Sequence, residues 1–80
     1  MATVHFEGSL EQYTGGIESV VLEARRVDDL MRQVTERFPA LESPLEIMAI
    51  AVDGCVHQEP DYLELGPGSE IHFVPRIAGG

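Results

Sequence analysis

Three histidines and one cysteine are the side chains of this 80-residue chain best suited to catalysis, and their spacing offers little. His5, His57 and His72 fall in stretches of strand-like alternation and lack the helical i, i+4 spacing of an H-E-x-x-H zinc site. Cys55 has no second cysteine, which excludes an intramolecular disulfide, a four-cysteine zinc site and a cysteine-ligated iron–sulfur cluster. Beside a turn, it reads as a small packing residue rather than a reactive thiol. No serine lies in a G-x-S-x-G elbow, and no G-x-x-x-x-G-K-S/T phosphate loop occurs. No catalytic residue, metal site or resident cofactor is therefore expected in the body. A small enzyme built on the histidines or on Asp61 is the competing reading, and it requires turnover by the isolated chain.

The end of the chain offers different chemistry. The last strand-like stretch runs into Arg76-Ile77-Ala78-Gly79-Gly80 and stops. With glycine at ~7% of average composition, two terminal glycines arise by chance in roughly half a percent of chains. A Gly-Gly end has no side chains to obstruct a narrow channel and reaches backbone angles closed to other residues. Five residues beyond Pro75 extend at most ~17–18 Å, far enough to place the Gly80 carboxylate inside a partner's active site. The plain alternatives are a frayed end or an expression scar.

A carboxylate presented in this way needs a rigid body behind it. Residues 3–7 alternate with period two and bury Val4 and Phe6 as a strand. Tyr13-Thr14-Gly15-Gly16 reads as a turn, and residues 19–24 as the returning strand of a hairpin. The period then changes. Val27, Leu30, Met31, Val34 and Phe38 recur at three- and four-residue intervals, with charged residues between them, which defines a helix. Asp28 or Asp29 suits its N-terminal end, Arg37 its C-terminal end, and Pro39 closes it. Residues 47–52 and 55–57 flank Asp53-Gly54, the pair favoured in type I′ hairpins because both turn positions need positive φ. Residues 61–65 read as irregular or a short helical turn packing Leu63 and Leu65, and Gly66-Pro67-Gly68-Ser69 as a turn. Residues 70–74 form a last strand stopped by Pro75. The order implies an α+β domain, a mixed sheet of about five strands covered on one face by one main helix. Its predicted core is Val4, Phe6, Leu30, Val34, Phe38, Ile50, Ile71 and Phe73. The same phasing turns His5 and His72 to the uncovered face, near one another if the first and last strands are neighbours.

Composition narrows the partners. Fourteen acidic residues against five basic ones give a formal charge of −9, which repels phosphate backbones and anionic membranes and favours a basic protein partner. No basic segment followed by an apolar run opens the chain, and no window approaches the ~18 apolar residues of a membrane span, so the cytoplasm is the expected compartment. At this length a single domain over residues 1–75 with an extended, flexible tail over 76–80 is expected. Its core is too small for a deep cavity.

Taken together, these elements resemble the MoaD/ThiS family of sulfur carriers over essentially the whole chain. The resemblance lies in the amphipathic helix ending at Phe38-Pro39, the Ala51-Val52-Asp53-Gly54 hairpin, the run from Leu65 to Pro75, and Ala78-Gly79-Gly80 in register behind it. Asp53 stands where asparagine is frequent, Gly68-Ser69-Glu70 replaces Gly-Asp-Glu, and Arg76 stands where a second proline is common. The resemblance implies a ubiquitin-like β-grasp fold and a non-catalytic carrier cycle. In that cycle an ATP-dependent adenylyltransferase of the ubiquitin-activating type adenylates Gly80, and sulfur replaces AMP to leave a thiocarboxylate (1-thioglycine). Arg76, Ile77, Ala78 and Gly79 would thread the partner's active site, while His5 and His72 would mark a docking face. Length and Phe73-Val74-Pro75 resemble the molybdopterin synthase small subunit, whose partner is the larger, sulfur-accepting subunit. Leu10 with Tyr13-Thr14-Gly15-Gly16 is similar to carriers serving cysteine biosynthesis, and Ile77-Ala78-Gly79-Gly80 also ends thiamine carriers. A β-grasp interaction module with incidental glycines is the remaining alternative.

Overall fold

The structure, a computed structural model, describes residues 1–57 and 61–75. Strand β1 (Ala2–His5) alternates as its residues dictate, Ala2 and Val4 buried, Thr3 and His5 half-buried, and Phe6 continues the phase into the core. A 3-10 turn over Gly8–Tyr13 follows, of which the sequence reading assigns only Tyr13, to a turn, and it drives Leu10 inward. Its end is tied by Thr14, whose hydroxyl donates to the carbonyls of Glu11 (3.2 Å) and Ile17 (2.8 Å). Strand β2 (Ser19–Leu22) returns antiparallel to β1, pairing Val4 with Val20 and His5 with Ser19.

Helix α1 (Val27–Arg37) buries Val27, Leu30 and Val34, carries Asp28 and Asp29 in its first turn and ends with Arg37. Arg26 at its N-cap supplies no capping side chain. Part of that function falls to residues 61–63. Leu63 and Asp61 offer carbonyls to the N–H groups of Val27 and Asp28, each at 3.0 Å, pairing amides that have no partner within the helix. This is why residues 61–65, irregular as expected, have a fixed path.

Pro39 ends α1 but does not end helical structure. A 3-10 turn (Pro39–Leu41) leads into a short helix α2 (Glu42–Glu46), and Leu41 and Leu45 are buried beneath them. Strand β3 (Met48–Val52) then begins one residue later than expected, leaving Ile47 outside it and 72% exposed. Asp53 (φ 49°) and Gly54 (φ 86°) both take the left-handed angles of a type I′ turn into β4 (Cys55–His57). A Cβ at Gly54 would meet nothing within 4 Å, so φ rather than space selects glycine there. Asp53 also joins this turn to the last strand β5 (Glu70–Pro75): its N–H donates to the Glu70 carbonyl and its carboxylate accepts the Glu70 N–H, each at 2.9 Å. Cys55 corrects the sequence reading: it is exposed on a sheet edge and is not a packing residue.

The strands form one five-stranded mixed sheet in the order β2-β1-β5-β3-β4, with β1 and β5 parallel at its centre. All eight expected core residues lie in a single cluster between one sheet face and the helices. Three aromatic rings organise it. Phe6 meets Phe38 edge-on at 5.3 Å between centroids and lies nearly parallel to Phe73 at 6.3 Å.

Candidate functional site

The site is built on the two central strands. Val4, Phe6, Ile71 and Phe73 face the core, so His5 and His72 emerge on the open face. The parallel register sets them directly opposite one another. Their imidazoles stack with centroids 4.4 Å apart and planes inclined by 6°. Glu70 lies two residues before His72 and Glu7 two residues after His5, so period-two geometry returns both carboxylates to this face. Each histidine bonds the acid associated with the other strand. His5 Nε2 lies 3.0 Å from Glu70 Oε1, and His72 Nδ1 lies 2.7 Å from Glu7 Oε1, the ring N–H donating to the carboxylate in both cases. The four side chains form a crossed square above the parallel pair at the middle of the sheet.

On the β2 side His5 faces exposed Ser19, while on the β3 side the residues beside the square are small and apolar. Ala51 pairs with His72 on one side and with Val56 on the other, and Ala49 pairs with Val74. Val56 and Val21 are each 56% exposed. The result is a shallow face with a polar centre and apolar flanks, which suits contact with another protein better than enclosure of a small substrate. Among the described residues, no group of three or more His, Cys, Asp or Glu side chains could hold a metal ion. Parallel stacked rings also direct their nitrogen lone pairs side by side and not toward a common point. His57 lies on edge strand β4, apart from the other two histidines, and Asp61 is exposed.

The strand that carries His72 is the last described element of the chain. Strand β5 runs beside β3 from Ile71 and finishes with Pro75 opposite Met48. Arg76, Ile77, Ala78, Gly79 and Gly80, the expected threading segment and sulfur-bearing terminus, lie outside the described residues. Sequence reasoning located His5 and His72 but missed Glu7 and Glu70 as their partners. The signal was available: a His and a Glu two residues apart in each of the stretches 3–7 and 70–74, both read as strands, share a face by period two.

A mixed sheet with parallel central β1 and β5, crossed on one face by a main helix, defines the ubiquitin-like β-grasp class. Residues 4–80 match the ThiS family, and the chain belongs to this family of ubiquitin-like sulfur carriers. It is 33% identical over 79 residues to the molybdopterin synthase sulfur carrier subunit of Caenorhabditis briggsae, covering 96% of this chain and 94% of that protein. The fold is shared with a chain of the Amycolatopsis orientalis BexX/CysO complex (TM-score 0.81, 21% identity, all of both chains covered). It is also shared with a chain of the Helicobacter pylori complex of subunits 1 and 2 of molybdopterin-converting factor (TM-score 0.71, 23% identity, 99% of this chain and 97% of that one). Among the described residues, no helix is long and apolar enough to cross a membrane.

Proposed function

We propose that this carrier serves molybdopterin biosynthesis as the small, non-catalytic subunit of molybdopterin synthase, with sulfur carried on the carboxylate of Gly80. The observation that carries the reading is the 33% identity, over nearly the full length of both chains, to a molybdopterin synthase sulfur carrier subunit. In the first step an adenylyltransferase of the ubiquitin-activating type joins the Gly80 carboxylate to the α-phosphate of ATP and releases pyrophosphate. Hydrosulfide then attacks the acyl carbon, the C–S bond forms as the C–O bond to AMP breaks, AMP leaves with that oxygen, and the remaining S–H proton passes to solvent. The resulting thiocarboxylate presents a polarizable, nucleophilic sulfur to the acceptor. This chain supplies no acid or base to those steps. Its contribution is presentation: a rigid sheet whose last strand ends at Pro75, ahead of residues 76–80 in sequence, and a face against which partners align. We assign these events to the cytoplasm.

The His5–His72 square is the proposed contact for the activating enzyme and the sulfur-accepting large subunit. It is central on the open face, flanked by exposed Val21 and Val56, and set in a body of charge −9 that steers basic partners. Changing either histidine to glutamate places a carboxylate beside Glu7 and Glu70. Such a change at a contact centre is expected to weaken partner affinity about tenfold or more. The glutamine variants keep an N–H donor for the facing carboxylate and should melt as the parent does, which separates docking from folding. Titration against the large subunit checks this, and unchanged affinity in both glutamate variants removes the docking role. Added salt should slow association by screening the acidic body. Sulfur transfer to a pterin acceptor on the molybdopterin synthase large subunit, and not to the acceptors of thiazole or cysteine synthesis, tests the pathway.

A further inference from the structure

The sheet ends at β2 on one side and β4 on the other. An edge strand presents N–H and C=O groups that its neighbour does not use, and proteins blunt such edges with charges, proline or very short strands. Strand β2 (Ser19–Leu22) has neither a charged residue nor a proline. Its outward groups follow from the ladder. The Phe6 N–H donates to the Glu18 carbonyl at 2.8 Å, which marks residues 6 and 18 as a hydrogen-bonded pair, and such pairs alternate along antiparallel strands. Val4 and Val20 are the next bonded pair, so Ser19 and Val21, opposite His5 and Thr3, turn both backbone groups away from β1. The carbonyls to either side are bonded from within the chain. That of Ile17 accepts the Thr14 hydroxyl, that of Glu23 accepts Gln33 Nε2, and that of Arg25 accepts the Leu65 N–H, each at 2.8 Å. Among the described residues, the outward groups of Ser19 and Val21 have no such partner. The opposite edge offers less, because β4 spans three residues and Val56 alone of them points its backbone outward.

We propose that the β2 edge at Ser19 and Val21 is a docking site for an extended antiparallel segment of a protein partner, apolar at its centre and basic at its ends. Two donors and two acceptors in backbone alternation are complementary to another backbone, which selects an added strand. Antiparallel addition lets Ser19 and Val21 each exchange both bonds with the residue opposite. Residues directly opposite share a face, and the Val21 side chain stands exposed on the open face, so an apolar residue should meet it there. Glu18 and Glu23 bracket the strand and favour basic residues at the ends of the segment. A charge of −9 on each copy opposes a second copy at the same edge. Sulfur loading has no part in this contact, so its test and that of the carrier reading fail separately.

The probe is the end-capped peptide Arg-Thr-Val-Thr-Val-Arg. Laid antiparallel, it sets its valines opposite Val21 and Ser19 and its arginines opposite Glu23 and Glu18. Titration into the whole chain, followed by amide NMR, should shift the Ser19 and Val21 N–H signals and slow their hydrogen exchange. N-methylation of both valines removes the N–H groups that face β2 and should weaken binding at least about tenfold. N-methylation of both threonines, whose amides point away, should leave affinity within about twofold. In the protein, Val21→Pro removes one outward donor, spares the β1 ladder and should cost at least about tenfold, whereas Val21→Thr keeps the donor and the affinity. Absence of a shift at both amides would overturn the proposal, and so would equal affinity of the two methylated peptides. Undiminished binding of a peptide with glutamate in place of both arginines would overturn the basic character assigned to the partner. Self-association of the chain through the same two amides would overturn the partner in favour of a second copy.

Discussion

Removal of Gly79 and Gly80 is expected to abolish sulfur loading while leaving the unfolding midpoint where it was. The loss follows from reach and shape. The shortened chain ends at Ala78, about 7 Å short of the original carboxylate at ~3.3–3.6 Å per residue. In the proposed cycle a methyl group would also stand where the activating enzyme is to receive glycine. Misplacement of a reacting atom by even ~1 Å can cost about 100-fold in rate, so a displacement of several ångströms should leave no measurable product. Stability should be indifferent to the same change. Among the described residues, the cluster of buried apolar residues runs from Ala2 to Phe73. Intact mass after incubation with the activating enzyme, ATP and a sulfur source reads the first effect, and thermal melting reads the second. Loading of the truncated chain at the parental rate would show that the glycines are incidental.

Truncation of Phe6 or Phe73 to alanine has the opposite profile, a large loss of stability with the terminus untouched. Phe6 is 1% exposed and contacts both other phenylalanine rings of the core, edge-on with Phe38 and parallel to Phe73. Deleting a buried phenylalanine ring typically costs ~3–5 kcal/mol through lost transfer energy and the cavity left behind. An 80-residue domain at ~0.05–0.15 kcal/mol per residue holds ~4–12 kcal/mol in total, so either change removes a large share. The unfolding midpoint should fall by more than ~10 °C, given ~4–8 °C per kcal/mol for a domain of this size. Phe6→Ala should be the more damaging, because Phe73 is a little more exposed, at 7%, and stacks on one ring only. Denaturant unfolding of the two variants measures both values. A cost below ~1 kcal/mol for either would contradict the packing described.

Much of this architecture was legible where local pattern and tertiary demand agree. The alternation of Val4 and Phe6 about His5, and of Ile71 and Phe73 about His72, set the phase of both central strands. Asp53-Gly54 specified its hairpin because few residue pairs tolerate two positive φ angles in succession. The segments that escaped are those fixed by packing alone. Six residues over Gly8–Tyr13 and five over Glu42–Glu46 are too few to be stable helical turns by themselves. They exist because Leu10, Leu41 and Leu45 close the core beyond the sheet. Pro39 was read as a stop, although its fixed φ suits the first position of the next helical turn equally well, where it is found. Cys55 was misjudged for a related reason. Residue type suggested burial, but strand order put β4 on the sheet edge, and order depends on the whole fold. For the site, strand phase located the two histidines, while their crossed carboxylate partners required the β1–β5 register as well.

The central claim is that the Gly80 carboxylate is converted to a thiocarboxylate. Intact-mass measurement of the chain tests it most directly, after incubation with a cognate adenylyltransferase shown to be active, ATP and a sulfur donor. The account predicts a product heavier by the difference between one sulfur and one oxygen atom, localised to Gly80 by fragmentation and absent when ATP is withheld. An unchanged mass in the presence of the active enzyme, or the added sulfur found on Cys55 instead of Gly80, would contradict it.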